Sequence, residues 1–168
     1  MILEYLNSLP SDEAQAELRK CCGSSQWASR VAAERPFDSL KALQQTAEDI
    51  WWSLQPGDWL EAFRSHPKIG EKKAQAATTA AAQKWSEQEQ SGVSSAAGES
   101  LRELARLNEE YEAKFGYIFI VCATGKSPDE LLSILGERLG NDAEKELPLA
   151  AAEQAKITAL RLEKLLST

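Results

Sequence analysis

Apolar residues recur every three or four positions along most of the chain, which is the spacing that one face of an α-helix produces. The strongest examples cover residues 39–54 and 101–115. Helix starts are predicted near residues 2, 11, 26, 39, 59, 71, 86, 101, 128 and 148. The pattern therefore predicts an all-α fold, a bundle of about eight to ten helices.

Residues with strong capping preferences refine these helix starts. Ser11 and Ser25 are expected to cap the second and third helices. Ser127 precedes a proline and is followed three residues later by Glu130, which predicts a capping box. Pro148 is expected to mark the beginning of the last helix, because proline lacks the N–H that a helix interior uses.

Residues 117–123, Tyr-Ile-Phe-Ile-Val-Cys-Ala, form the one stretch with strand character. The stretch is short, β-branched and bounded by Gly116 and Gly125. It has no obvious second strand to pair with, so its backbone N–H and C=O groups need other partners. Either a polar ligand supplies these partners, or helix ends, water and a second chain do.

The composition indicates one acidic domain over residues 1–168. The chain carries 19 Lys and Arg against 26 Asp and Glu, a net charge of −7. This charge disfavours binding to nucleic acid and to anionic membranes. The sequence has no basic leader and no run of about 18 apolar residues, so a cytoplasmic protein is predicted.

The cysteine and histidine content argues against a metal site. Three cysteines, of which Cys21 and Cys22 are adjacent, give no pairwise disulfide framework and fit a reducing compartment. With one histidine and no Cys-x-x-Cys sequence, the usual zinc ligand sets cannot be assembled. No cluster of carboxylates indicates magnesium. We therefore expect no bound metal.

The single histidine lies in the sequence His66-Pro67-Lys68-Ile69-Gly70. Imidazole has an ordinary pKa near neutrality, which suits it to proton transfer at pH 7. A residue before proline disfavours helix, so His66 is expected just past the end of a helix over residues 59–64. Gly70 allows a tight turn before the next helix. The structural alternative is a loop histidine that caps a helix end.

A second polar cluster follows at Ser86-Glu87-Gln88-Glu89-Gln90. Its structural interpretation is a capping box, with Ser86 as the cap and Glu89 three residues later. However, Gln90 stands where a hydrophobic staple with Trp85 would need an apolar residue. An amide beside a carboxylate suggests instead the hydrogen-bonding wall of a polar pocket.

In their order and spacing, these motifs resemble the 2-oxo-4-hydroxy-4-carboxy-5-ureidoimidazoline (OHCU) decarboxylase family, which makes (S)-allantoin in urate breakdown. Beyond the two polar clusters, the resemblance rests on Leu107-Asn108-x-x-Tyr111-x-x-Lys114-Phe115-Gly116, on Phe119-Ile120 and on Arg138-Leu139-x-Asn141-Asp142. Residues 35–37 and 58–63 extend it upstream. It spans residues 30–165, nearly the whole chain.

The resemblance implies an all-α, homodimeric carboxy-lyase that needs no cofactor and acts on a small ureidoimidazoline. It implies catalytic roles for His66 and Glu89. It implies substrate binding by Pro67, Ser86, Gln90, the backbone of Phe119, Ile120 and Val121, and Arg161. For Arg161 the structural alternative is a charged residue on a solvated helix face.

Two positions depart from the family's pattern. Tyr117-Ile118 stand where the family commonly has Phe-Pro, so an additional N–H is present. Lys68 replaces a more usual arginine, which matters if that side chain binds a carboxylate bidentately.

Two other functions fit the same residues. One is a helical interaction module that keeps the scaffold without activity and presents its acidic surface to a partner. The other is a cofactor-free hydrolase of a different ureido compound, since the same hydrogen-bonding groups would bind it. An interaction module does not explain why His66, Glu89 and Gln90 are all of residue types that suit a polar binding pocket.

Overall fold

The computed structural model describes residues 1–70, 78–94 and 98–167. Within these ranges it contains ten helices and no strand, so the predicted all-α fold is confirmed. The helices are α1 (Leu3–Ser8), α2 (Ser11–Arg19), α3 (Ser25–Ala33), α4 (Leu40–Ser53), α5 (Pro56–Arg64), α6 (Ala80–Glu89), α7 (Ser91–Ser94), α8 (Gly98–Phe115), α9 (Pro128–Leu139) and α10 (Ala143–Leu166). No helix in the described part of the chain is long and apolar enough to cross a lipid bilayer.

The chain divides into two compact units. The first comprises Met1–Ala62 together with the end of the chain from Ala155, and the second comprises Phe63–Gln154. The divisions fall within α5 and within α10. One domain over residues 1–168 stays a prediction. All candidate site residues except Arg161 belong to the second unit.

In the first unit, α2 packs against α3 and α3 packs against α4. The buried Trp27 of α3 donates its indole N–H to the Ala47 carbonyl of α4 at 3.0 Å. The cap of α3 is Ser24, whose extended backbone lets its hydroxyl accept from the Trp27 N–H at 3.2 Å. The prediction that Ser25 caps this helix is therefore wrong by one residue.

The predicted cap of α2 is also wrong by one residue. Pro10 occupies the cap position with an extended backbone, and Ser11 is the first residue of the helix. The fixed φ of proline suits this position at the entrance of a helix, and no side-chain hydrogen bond caps α2.

In the second unit, α8 packs against α9 around an apolar core. The fully buried members of this core include Leu104, Tyr111, Leu131 and Leu135. Gly116 ends α8 with a φ of 83°, a left-handed conformation that glycine adopts without strain. This stop matches the sequence-based prediction.

Residues 117–123 are not a strand in the structure. Every residue from Ile118 to Ala123 is buried, but the segment makes no ladder with another chain segment in the described ranges. Side chains from α9, α10 and the following loop bond to it instead. The Arg138 guanidinium donates to the Ile120 carbonyl, Glu153 accepts from the Cys122 N–H at 3.2 Å, and Lys126 donates to the Cys122 carbonyl at 2.7 Å.

The start of α9 was predicted correctly and the start of α10 was not. Ser127 and Glu130 form the expected capping box at α9. In contrast, α10 begins at Ala143 and carries Pro148 inside. The first turn of α10 forms before the proline because Asp142 accepts from the Lys145 N–H at 2.8 Å and buried partners hold the Glu146 side chain.

Helix α6 begins later than the predicted start at residue 71 and earlier than the one at residue 86. Thr79 caps it by accepting from the Ala82 N–H at 3.0 Å. The helix start predicted near residue 71 falls in residues 71–77, which lie outside the described residues. Helix α7 follows at Ser91–Ser94, and α8 begins at Gly98, slightly before the start predicted near residue 101.

Candidate functional site

The loop at residues 66–70 has the conformation that its sequence predicts. Helix α5 ends at Arg64, and the His66 N–H donates to the Phe63 carbonyl at 3.2 Å. Pro67 is buried beside it. Gly70 has a φ of 92°, which lets the chain turn sharply at the end of the loop.

The His66 ring is buried and has a defined partner. The side chain is only 6% exposed, and its Nε2 atom lies 2.6 Å from Oε1 of Gln154 in α10. The Gln154 side chain is fully buried. A contact of this length between two buried polar groups fixes the orientation of the ring.

The C-terminal turn of α6 carries Ser86, Glu89 and Gln90, so the capping-box interpretation of Ser86 and Glu89 is wrong. Ser86 lies inside α6 and its hydroxyl donates to the Ala82 carbonyl at 3.0 Å, while Gln90 is the C-terminal cap. The helix had already started at Ala80, because Thr79 supplies the cap that Ser86 was expected to provide. Residues three and four apart lie on one helix face, which groups these three side chains.

Hydrogen bonds tie the 66–70 loop to α6 and α8. The Gly70 N–H donates to Oε1 of Gln90 at 2.9 Å, and Asn108 of α8 donates from Nδ2 to the Ile69 carbonyl at 3.2 Å. Lys68 forms an ion pair with Glu112 at 3.0 Å. The histidine loop and the polar end of α6 are therefore parts of one bonded assembly.

A small cavity of about 110 Å³ adjoins this assembly and is lined by residues that include Lys68, Gly70 and Asn108. Within the described residues, no hydrogen bond reaches the buried Oδ1 atom of Asn108. Buried acceptors without a partner are rare in folded proteins. This oxygen is therefore available to a water or ligand donor.

The segment at residues 119–121 presents unused backbone donors. The structure gives the N–H groups of Phe119, Ile120 and Val121 no hydrogen-bond acceptor within the ranges it describes. These residues are between 2% and 4% exposed. Consecutive buried donors of this kind suit the oxygen atoms of a polar ligand.

A buried ionic cluster, which we define as Arg138, Glu146, Tyr111 and Asn141, supports this segment. Glu146 accepts from Arg138 Nε at 2.6 Å, from the Tyr111 hydroxyl at 2.6 Å and from Asn141 Nδ2 at 2.9 Å. The Arg138 guanidinium lies 4.8 Å from the centre of the Phe119 ring and also donates to the Ile120 carbonyl. The cluster thus fixes the backbone that carries the unused donors.

Arg161 lies in the part of α10 that belongs to the first unit. Its side chain is 2% exposed, so Arg161 does not lie on a solvated helix face. Burial raises the pKa of the Cys22 thiol to about 11, and the positive charge of Arg161 acts in the opposite direction. A buried guanidinium of this kind is retained where it has an anionic or polar partner.

Among the buried polar residues of the described chain, Gln154, Glu146 and Arg138 had no role assigned from the sequence. Gln154 and Arg161 lie on the apolar stripe of α10, at helical spacing from Ala150, Ala151 and Ile157. Arg138 lies on the stripe that Leu131 and Leu135 define in α9. The sequence marks such residues in one way: a polar side chain stands where the helical spacing of its neighbours calls for an apolar one.

The described part of the chain contains no group of three or more His, Cys, Asp or Glu side chains that could hold a metal ion. The polar groups of the candidate site are one imidazole, a carboxylate, amides, a hydroxyl and backbone N–H groups. This set can bind an oxygen- and nitrogen-rich ring compound and can move protons.

Comparisons with known proteins identify the family of this chain. A family model described as OHCU decarboxylase matches residues 7–163. The uric acid degradation bifunctional protein TTL of Arabidopsis thaliana is 40% identical over 152 residues, which cover 90% of this chain and 47% of that protein. A 2-oxo-4-hydroxy-4-carboxy-5-ureidoimidazoline decarboxylase of Amia calva is 34% identical over 138 residues, which cover 81% of this chain and 77% of that protein.

A solved structure gives the same result. The crystal structure of an OHCU decarboxylase in the presence of (S)-allantoin matches with a TM-score of 0.78 and 40% identity, covering 90% of this chain and 98% of that one. The chain spans about half the length of the Arabidopsis relative. The family model nevertheless matches nearly the whole chain, and we conclude that this protein belongs to the OHCU decarboxylase family.

Proposed function

We propose that this protein decarboxylates 2-oxo-4-hydroxy-4-carboxy-5-ureidoimidazoline to (S)-allantoin in urate degradation. The observation that carries the proposal is the bonded assembly of the buried His66 loop with the α6 turn of Ser86, Glu89 and Gln90. These are the residues to which the family resemblance assigns catalysis and substrate binding. Family membership supports the same conclusion.

The reaction can proceed without an electron-accepting cofactor. When CO2 leaves, its bonding electron pair stays on the carbon that bears the hydroxyl and moves toward the adjacent ring C=N. The ring nitrogen takes up one proton. Loss of the hydroxyl proton then forms a carbonyl, and the former imine carbon gains a proton on one face. The substrate's own C=N thus supplies the electron sink that other decarboxylases obtain from a cofactor.

In this proposal His66 accepts the hydroxyl proton, because its ring is buried, rigidly held and suited to proton transfer near pH 7. Glu89 orients the ureido group and serves as the acid–base partner at the imine carbon. Both residues belong to the second unit, where hydrogen bonds fix the loop against α6.

The remaining groups bind and orient the substrate. Pro67 is a buried neighbour of the histidine, and Ser86 and Gln90 flank Glu89 on α6. The unused N–H groups of Phe119, Ile120 and Val121 donate to the substrate's oxygen atoms. Fixing a reactant in one orientation accounts for a large part of the rate that such groups provide.

The direct test uses substrate labelled with ¹³C in the carboxyl group. We expect the protein to accelerate the release of labelled CO2, with activity that saturates as substrate is added. A hydrolase of another ureido compound would instead cleave a C–N bond of that compound with water, and it would leave the labelled carboxylate of the ureidoimidazoline in place. An inactive interaction module would accelerate none of these reactions, and either result would refute the proposal.

Arg161 is proposed to bind the substrate carboxylate through its guanidinium. Arg161→Lys keeps the positive charge but loses the planar pair of donors, so we expect a higher KM or a lower kcat. Steady-state kinetics decide this. Kinetics equal to those of the wild type, in a folded variant, would limit Arg161 to a structural role beside the buried thiols of the first unit.

We further propose that catalysis needs no metal. The proposal follows from the electron flow given above and from the sequence, which has one histidine and no zinc-binding pattern. After dialysis against EDTA, the decarboxylation rate is expected to be unchanged. A complete loss of rate that one divalent cation restores would contradict the cofactor-free mechanism.

A homodimer is proposed on the family resemblance and on exposed apolar side chains. Ile2, Tyr5 and Trp52 are 62%, 54% and 42% exposed, and apolar surface of this kind often marks an interface. Sedimentation equilibrium at micromolar concentration is expected to give twice the chain mass of 18.5 kDa. A single species at the chain mass would show a monomer.

A cytoplasmic location is likewise proposed. Cys21, Cys22 and Cys122 are all free and buried, which fits a reducing compartment. Fractionation of cells that produce the full-length protein would test this location.

A further inference from the structure

We propose that Gln154 is a positioning residue that holds His66 in the tautomer with its proton on Nε2, so that proton transfer in the reaction runs through Nδ1. The expected effect on kcat rests on the proposed function. The tautomer itself can be measured without any turnover.

The geometry supports this assignment. Oε1 of Gln154, an acceptor, lies 2.6 Å from Nε2 of His66. With the amide oxygen facing the ring, the contact is a hydrogen bond when Nε2 carries the proton, and the lone pair of a neutral imidazole then lies on Nδ1. Gln154 is fully buried and His66 nearly so, and a buried contact is weakened little by water.

The turn of α10 that carries Gln154 also bonds to a second part of the proposed site. Its neighbour Glu153 accepts from the Cys122 N–H at 3.2 Å, next to the segment that presents the unused donors. One turn of α10 therefore bonds both to the histidine and to the end of the proposed substrate-binding segment. A displacement of either group relative to the other would misalign the reacting atoms.

A glutamine suits this position better than a carboxylate during proton transfer. The Nε2–H group donates to the amide oxygen both when the ring is neutral and when it is an imidazolium ion. The hydrogen bond therefore persists while Nδ1 gains and loses a proton. A neutral amide also avoids a second buried charge beside the ring.

The test uses the fact that His66 is the only histidine in the chain. Labelling with [¹⁵N]histidine gives a single imidazole, and its two nitrogen resonances report the tautomer directly. In the neutral wild-type protein we expect a proton on Nε2 that exchanges slowly with water. A proton on Nδ1 instead would overturn the proposal, whatever the enzymatic activity.

The kinetic test compares two substitutions of Gln154. Gln154→Leu removes the acceptor at similar volume, and we expect kcat to fall by up to about 100-fold with a smaller change in KM, because the ring loses its fixed orientation. The Nε2 proton should then exchange rapidly. Gln154→Glu keeps an acceptor oxygen but adds a buried charge, so it is expected to recover the slow exchange and a kcat between those of Gln154→Leu and the wild type.

Gln44→Leu serves as the matched control, because it removes a partly buried glutamine hydrogen bond to the Ala159 carbonyl in the first unit. We expect it to keep kcat. Wild-type kcat in Gln154→Leu, or equal losses in Gln154→Leu and Gln154→Glu, would overturn the positioning role. A wild-type protein without decarboxylase activity would refute the proposed function, whereas the tautomer would still be decided by the spectrum.

Discussion

His66→Asn and Glu89→Gln are each expected to lower kcat for decarboxylation by about 10² to 10⁴ fold. Asparagine keeps a hydrogen-bonding group but cannot exchange a proton near neutral pH. Glutamine keeps the shape of glutamate and loses its charge and proton capacity. Initial rates with purified variants, alongside their melting curves, measure the effect.

The stability of the two variants separates catalysis from structure. Glu89 takes no part in a capping box, since α6 starts at Ala80, so Glu89→Gln is expected to leave the melting temperature nearly unchanged. His66→Asn loses the hydrogen bond to Gln154 and is expected to lower the free energy of unfolding by about 1 kcal/mol. Both proteins should therefore remain folded at the assay temperature.

Combining the two substitutions tests whether the residues act in one sequence of proton transfers. Groups that act together are not additive, so the double variant should be little slower than the slower single one. Decarboxylation near the wild-type rate in either single variant would remove that residue from the mechanism. If both variants kept the wild-type rate, catalysis would have to be assigned to other residues.

The largest stability change is expected in the buried ionic cluster. Arg138→Met and Glu146→Gln should each lower the free energy of unfolding by about 3–5 kcal/mol, because each leaves the other side chain buried without its charge partner. The side chains of Arg138 and Glu146 are 9% and 0% exposed. Denaturant titration followed by circular dichroism measures the change.

Arg106→Met is the matched control for this prediction. Arg106 pairs with Glu103 and Glu110 on the surface of α8, and its side chain is 56% exposed. Water weakens such a pair, so its loss should change stability far less than Arg138→Met does. Equal effects of Arg138→Met and Arg106→Met would show that the buried cluster does not stabilise the fold as argued.

The double variant Arg138→Met/Glu146→Leu extends this test. It removes both charges and replaces them with apolar side chains, so most of the stability lost in either single variant should return. Any remaining defect in kcat would then report the lost support of the Ile120 carbonyl, since Arg138 is its donor.

The elements that local chemistry determines could be predicted from the sequence. The regular apolar stripe of α4, the glycine stop of α8 and the capping box of α9 are set by residues close to one another in the chain. The conformation of the 66–70 loop was predictable for the same reason, because proline and glycine restrict it directly.

Other features depended on contacts between distant residues. Ser86 has the features of a helix cap, but the actual cap is Thr79, seven positions earlier. Thr79 lies in an alanine-rich stretch with no glycine or proline to mark a helix boundary. Pro148 looked like a helix start, but the contacts of Glu146 with Arg138 and Tyr111 hold the preceding turn in α10. Local propensity is a weak guide where tertiary contacts oppose it.

The candidate site was only partly predictable. His66, Ser86, Glu89 and Gln90 stood out as polar clusters, whereas the role of Gln154 depends on a residue 88 positions away. A sequence without aligned relatives does not reveal such a pair. The polar residue on an apolar helix stripe shows that a position is unusual, but only the fold shows which group it meets.

The chirality of the product tests the central claim most directly. Unassisted protonation of the planar imine carbon gives both enantiomers of allantoin, whereas a proton delivered within a fixed site gives one. We predict that the wild-type protein converts 2-oxo-4-hydroxy-4-carboxy-5-ureidoimidazoline to allantoin with the circular dichroism of the pure S enantiomer. Racemic allantoin, formed no faster than in buffer alone, would contradict the account.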